Sequence, residues 1–295
     1  MSNNNKGIVG VVGLGSMGLG MAQTLAASQF ETLGFDLSEE RRALAAKSGV
    51  TPVSTISELF EKSAFLVFSL PTAKDVTGVV NSHIDVLEAR QGQKIVIIDT
   101  STSEPDVSRE LADKLAGLGH GFLDAPVSGG PAGAASGKLT MMIGGSDEDV
   151  AVAGPVIEAM SAKALHVGPS GAGNVAKLVN NLLAAAHMVT TSEGLKLAAA
   201  AGIDPEAALR VLNAASGRSM ISEVHFPTWI MSDRFDSGFS MGLMRKDVRL
   251  ASELAARTGA ELPLADAVAK LWAGSTELND TDDFTRMGAF KSAGK

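Results

Sequence analysis

The chain has 295 residues, enough for two domains that each bury a core, and its 45% hydrophobic and 20% charged residues exclude a disordered or low-complexity chain. It contains no cysteine, which excludes a disulfide framework, a thiolate nucleophile and a cysteine-ligated metal, so any chemistry must come from other residues. The formal charge of −8, with no basic run, argues against nucleic acid as a partner and in favour of a small molecule.

The polar start, Met1 to Lys6, leads into an apolar run broken by glycines rather than a signal-peptide core. No stretch reaches membrane-spanning length, so the expected location is cytoplasmic. Gly7 to Val12 reads as a strand, Gly13 to Gly20 as a glycine-rich turn and Met21 to Ser28 as a helix. A second strand is expected at Thr32 to Phe35, then a charged helix from Ser38 to Lys47 with Ser38 able to cap it. Phe65 to Leu70, Ile95 to Asp99 and Gly121 to Leu123 read as buried parallel strands, alternating with helical stretches such as Ser103 to Leu118. The fold class of this half is therefore doubly wound α/β of Rossmann type.

Thr140 to Ile143 and a helix near Asp147 to Met160 close that half. The segment Ala164 to Gly173, with Pro169, Gly168, Gly171 and Gly173, is expected to hold the boundary, giving a dinucleotide domain over 1–166 and an all-helical domain over 167–295. Asn174 to Ala201 carries apolar residues at Val175, Leu178, Val179, Leu182, Ala186 and Val189, the spacing of one long helix. Pro205 suits the first turn of a further helix, Phe226 to Ser240 reads as a connection, and helices resume near Asp247 to Arg257 and Leu264 to Leu271.

Gly13-Leu14-Gly15-Ser16-Met17-Gly18 has the dinucleotide spacing, and its context strengthens it: a strand precedes it, a helix follows, and Asp36 ends the next strand. The helix start offers unpaired N–H groups and a positive dipole end to a pyrophosphate. A carboxylate at Asp36 can accept hydrogen bonds from both adenosine ribose hydroxyls and repels a 2′-phosphate, so the expected cofactor is NAD rather than NADP. Arg41 and Arg42 are the residues that could accommodate the phosphate instead, although solvation on a helix surface is the commoner role.

Hydride transfer from an alcohol also needs a proton acceptor and a substrate anchor. None of the histidines, His83, His120, His166, His187 and His225, lies in a motif of a catalytic kind. Lys177 follows the glycine-rich turn Gly171 to Gly173 into the long helix, with Asn181 one turn further on the same face, so that the amide could orient both lysine and substrate. Burial beside an apolar cofactor ring would lower the lysine pKa as proton transfer requires. Ser128-Gly129-Gly130 offers a hydroxyl and open backbone N–H groups to a carboxylate, but the same residues suit an ordinary surface turn equally well.

Five stretches taken together, GLGSMG at Gly13, DTSTSEP at Asp99, FLDAPVSGG at Phe122, GAGNVAKLVNN at Gly171 and GFSMGLMRKDVRLA at Gly238, resemble the 3-hydroxyisobutyrate dehydrogenase family, relatives of 6-phosphogluconate dehydrogenase, from about Gly7 to Phe290. The resemblance implies a Rossmann-type domain, an all-α domain built on a long helix, an active site between them, and a homodimer or homotetramer. It implies Lys177 as the catalytic lysine, Asn181 as its partner, and Ser128, Gly129 and Gly130 as the carboxylate site. It further implies that Thr102, Lys246, Asp247, Leu70 and Pro71 contact the cofactor. Members act on several small hydroxyacids and semialdehydes, and Arg218, His225, Trp229 and Arg245 are candidates for the far side of the pocket. The competing readings are a semialdehyde reductase using NAD(P)H, against which Asp36 speaks, an imine reductase, against which Lys177 speaks, and a non-catalytic dinucleotide-binding module.

Overall fold

The computed structural model describes residues 7–90 and 92–289; Met1 to Lys6 and Phe290, where the resemblance ends, lie outside them. The chain forms two compact units, Met1–Lys177 and Leu178–Lys295.

In the first unit strands and helices alternate in the order β1 (Ile8–Val12), α1 (Ser16–Ala27), β2 (Glu31–Phe35), α2 (Glu39–Ala46), β3 (Thr51–Pro52), α3 (Ile56–Lys62), β4 (Phe65–Phe68), α4 (Ala73–Asn81), α5 (Ile84–Ala89), β5 (Val96–Asp99), α6 (Pro105–Gly117) and β6 (Gly121–Asp124). These six strands are parallel and ordered β3-β2-β1-β4-β5-β6, so the direction of winding reverses between β1 and β4. That reversal leaves a crevice at the carboxyl ends of the strands, where ligands of such sheets bind. Beyond β6 come β7 (Val127–Ser128), α7 (Gly130–Ala135), β8 (Leu139–Gly144), α8 (Asp147–Met160) and β9 (Ser161–Gly168); β8 runs antiparallel to β6 and β7, and β9 parallel to β8.

The apolar runs read as strands are buried on both faces, and the period of two sorts them. Val9, Val11, Val67, Val96, Ile98 and Leu123 pack on one side, with Met21, Leu25 and Ile157. Leu66, Phe68, Ile95, Ile97 and Phe122 pack on the other, with Phe60, Val80, Leu111 and Leu115. Ser38 caps α2 as expected, accepting the Arg41 N–H.

The start of the segment expected to hold the boundary, Ala164 to Gly168, belongs to strand β9. It escapes a search for buried periodicity because Ala162 to Val167 are all exposed at the sheet edge.

Helix α9 (Ala172–Ala200) spans the division, and the second unit continues with α10 (Pro205–Ala214), a π-helical segment (Ile221–Ile230), α11 (Met241–Thr258), α12 (Pro263–Gly274) and a short 3₁₀ turn (Phe284–Gly288). Asp204 caps α10 through the Ala207 N–H and Pro205 opens it. The core of this unit gathers Met188, Leu195, Leu209, Phe226, Ile230, Met244, Val248, Trp272 and Phe284. The connection expected from Phe226 to Ser240 is thus helical up to Ile230. Pro227 and the five-residue bonding step of the π-helix, seen in the Met231 N–H donating to Phe226 O at 2.8 Å, hide it from a 3.6-residue pattern.

Candidate active site

At the carboxyl end of β1 the three motif glycines do three different jobs. Gly13 has φ +89°, and a Cβ there would lie 2.3 Å from Ser69 O. A Cβ on Gly18 would lie 1.8 Å from Gly13 O, so the start of α1 is pressed against the turn. Gly15 instead faces open space, and no side chain caps α1. An uncapped helix start beside a residue without a side chain is what a pyrophosphate needs for close approach, so the residues present fit a dinucleotide.

Asp36, just past β2, ties this turn in place: Oδ2 accepts the Leu14 N–H at 2.7 Å and Oδ1 the Ser38 N–H at 2.8 Å. Each carboxylate oxygen retains acceptor capacity after one such bond. Arg42 donates to the backbone oxygens of Asp36 and Leu37 and stacks over the Phe35 ring, while Arg41 is exposed. Leu70 follows β4; its N–H donates to Ser101 Oγ at 3.0 Å and its side chain lies over Gly13. Pro71 is exposed beside it, and Thr102, in the same loop as Ser101, is half-buried. Gly13 to Gly18, Leu70, Pro71 and Thr102 therefore gather at one end of the sheet.

The same end carries β7. Lys177 is 7% exposed, and its Nζ donates to Val127 O at 2.8 Å, directly before Ser128. The lysine and the serine-glycine turn, 49 positions apart, meet there. Gly129 has φ +125° and Gly130 φ +62°, and no side chain caps α7 behind them. Such a bend presents backbone N–H groups on one side.

Two residues within the quoted stretches had been given no role. Asp124 closes β6, fully buried, and accepts the N–H of Gly171 at 2.7 Å on Oδ1 and of Asn174 at 2.9 Å on Oδ2. Burial pushes its pKa above the usual carboxylate value, while the N–H groups of Gly171 and Asn174 pull it back. Asn174, also fully buried, accepts the Ser103 N–H at 2.9 Å and donates to Ser108 Oγ at 3.0 Å. A carboxylate ending an otherwise apolar strand was the signal that could have pointed to Asp124.

In the second unit Asn181, 5% exposed, donates to Asp247 Oδ2 at 2.6 Å and accepts from Asn180 at 3.0 Å. Asp247 is buried; its Oδ1 accepts no hydrogen bond and lies 3.5 Å from Lys246 Nζ. Asn181, Lys246 and Asp247 thus form one polar cluster. Of the far-pocket candidates, Arg245 is committed elsewhere: its guanidinium binds Trp272 O, Leu278 O, Asp280 and Ser275 at the end of α12. Arg218 is exposed, and His225 sits between the rings of Trp229 and Phe284, with burial holding its pKa below the usual 6.5.

A parallel sheet wound in this order, with a glycine cradle, an acid after β2 and a buried lysine at its carboxyl edge, defines a nicotinamide-dinucleotide-dependent dehydrogenase. Residues 8–168 match the NAD binding domain of 6-phosphogluconate dehydrogenase, and residues 171–289 the NAD-binding domain of NADP-dependent 3-hydroxyisobutyrate dehydrogenase. The chain belongs to the 3-hydroxyisobutyrate dehydrogenase family. It is 34% identical to the mitochondrial 3-hydroxyisobutyrate dehydrogenase of Drosophila melanogaster, over 90% of this chain and 82% of that one. It is equally identical to the 2-(hydroxymethyl)glutarate dehydrogenase of Eubacterium barkeri, over 92% and 89%. The solved Mycobacterium tuberculosis 3-hydroxyisobutyrate dehydrogenase with L-serine superposes with a TM-score of 0.87 at 31% identity, over 95% of this chain and 97% of that one. The protein is accordingly a hydroxyacid dehydrogenase acting on a CH–OH group with a nicotinamide dinucleotide. No helix among the described residues is long and apolar enough to cross a membrane.

Proposed function

We propose that the chain oxidises a small hydroxycarboxylate of the 3-hydroxyisobutyrate or L-threonate kind, using NAD in preference to NADP, with Lys177 as acid/base. The observation that carries this reading is the buried Lys177 Nζ, held 2.8 Å from Val127 O beside Ser128. An amine anchored by the Val127 carbonyl is held where it can exchange a proton with the substrate hydroxyl. Ser128 Oγ and the N–H groups of Gly129 and Gly130 receive the substrate carboxylate, which fixes the reacting carbon relative to the lysine. Asn181, held by Asp247, orients the lysine and the hydroxyl. Gly13, Leu14, Gly15, Ser16, Met17 and Gly18 take the pyrophosphate, Asp36 the adenosine ribose, Leu70 and Pro71 the adenosine side, and Thr102, Lys246 and Asp247 the nicotinamide side. When bound, the nicotinamide ring supplies the hydride acceptor. The first domain serves the cofactor, and the helical domain serves the substrate and assembly.

Homodimers or homotetramers and a cytoplasmic location belong to the same reading. Assembly is supported by Val179, Leu183 and Leu197, apolar yet 50%, 54% and 73% exposed along α9; light scattering reads it directly.

The test is NADH formation on a panel of small hydroxyacids, among them 3-hydroxyisobutyrate, L-threonate, glycerate, L-serine and 4-hydroxybutyrate, repeated with NADP. Turnover of one acid with NAD, cut by at least about a hundredfold in Lys177→Ala while NAD still binds, is the expected result. Silence across the panel, with reduction of a semialdehyde by NADPH, would transfer the assignment to a reductase.

A further inference from the structure

We infer that Asp124 and Asn174 are positioning residues for the reaction: together they set where helix α9 starts and hence where Lys177 Nζ lies over β7. The inference rests on the reading of Lys177 as the acid/base. A helix start is ordinarily capped by the residue just before it, which leaves the helix free to shift with its own loop. Here the cap comes from the sheet. Asp124 Oδ1 and Oδ2 accept the N–H groups of Gly171 and Asn174, 47 and 50 positions along the chain, and the positive end of the helix dipole favours the carboxylate.

The packing around this cap allows no slack. A Cβ on Gly173 would lie 2.3 Å from Asp124 O and 2.5 Å from Met142 O, and one on Gly144 would lie 2.5 Å from Asp124 Oδ1. A Cβ on Gly171 would lie 2.8 Å from Pro105 O. The first turn of α9 is therefore pressed directly against the ends of β6 and β8. Asn174 adds a second tie in another direction, through Ser103 N–H to the loop that carries Thr102 and through Ser108 Oγ to helix α6. Lys177 lies three residues beyond Asn174, within the next turn, so a slip of the helix start is passed to Nζ almost undiminished. A displacement of about 1 Å is enough to cost about a hundredfold in rate.

Asp124→Asn keeps the size of the side chain but replaces one acceptor with an amide that confronts a backbone N–H. The expected result is a fall in kcat of about thirtyfold or more, with the far-UV circular dichroism and the NADH dissociation constant unchanged within about threefold. The deciding measurement is a double-mutant cycle with Lys177→Ala. If Asp124 acts through the lysine, Asp124→Asn changes the residual rate of Lys177→Ala by less than about threefold. Equal factors in both backgrounds, or a folded Asp124→Asn with near-normal kcat, would overturn the inference.

Should Asp124→Asn fail to fold, Ser108→Ala carries the same cycle, because it removes only the Asn174 Nδ2 acceptor. There a several-fold loss of kcat confined to the Lys177 background is expected, and its absence overturns the inference. A near-normal rate in Lys177→Ala alone overturns both the lysine assignment and the positioning role built on it, while a large loss in Lys177→Ala with equal factors for the second substitution overturns only the positioning role.

Discussion

Asp36 has two duties that a strand-end carboxylate need not combine. It holds the glycine turn through the Leu14 N–H and its own loop through the Ser38 N–H, and its remaining lone pairs are those assigned to the ribose. Removing it should therefore weaken both cofactors through the loosened turn, and NAD further through the lost ribose bonds. Because the first loss is common to NAD and NADP, the ratio of their kcat/KM values isolates the second. Asp36→Ala is expected to lower the NAD-over-NADP ratio by about tenfold or more, the size of hydrogen bonds to one charged group. An unchanged ratio would show that Asp36 serves the turn alone. At this scale the sequence was legible where a motif brings its own context: the three glycines and Asp36 stand where strand, turn and helix placed them. Asp124 and Asn174 were not, because their partners lie tens of residues away and only folding brings the ends of β6, α6 and α9 together.

At the scale of elements the second unit is held by two devices that no periodicity reveals. Arg245 on α11 binds the end of α12 through several acceptors at once, a planar donor fork that lysine could not reproduce. The π-helical segment carries His225 into an aromatic cluster with Trp229 and Phe284. Burial lowers the His225 pKa from its usual 6.5, with the Met220 carbonyl and Asp283 opposing. A depressed folded-state value means that the unfolded chain binds the proton more readily, so this contribution to stability is full above pH 6.5 and is lost as the pH falls toward the folded value. His225→Phe keeps a ring between Trp229 and Phe284 and removes the titration. The loss in urea midpoint between about pH 7.5 and pH 5.5 should be smaller in His225→Phe than in the parent; equal losses would show that His225 does not couple to folding. Strands β4, β5 and β6 were readable because full burial makes them short continuous apolar runs. Edge strand β9, exposed along its length, had no such mark.

For the whole molecule, a site that binds a dinucleotide only when folded links cofactor concentration to stability. At a free NAD concentration about 100 times its dissociation constant, the cofactor-binding unit gains about 2.7 kcal/mol and its Tm should rise by several degrees. NADP at the same concentration should raise it less, and no shift with either would contradict the cofactor assignment. The family and its architecture were readable from sequence alone because glycine turns, strand-end acids and helix caps are local solutions to local constraints, and each leaves a residue type at a fixed spacing. Periodicity likewise determined that a sheet precedes a helical half. The meeting of Lys177 with Val127, the clamp of Asp124 on α9 and the commitment of Arg245 to the end of α12 were decided only by the tertiary structure. A hydrogen bond between distant residues depends on the register of whole elements, and nothing in the spacing of a sequence encodes that register residue by residue.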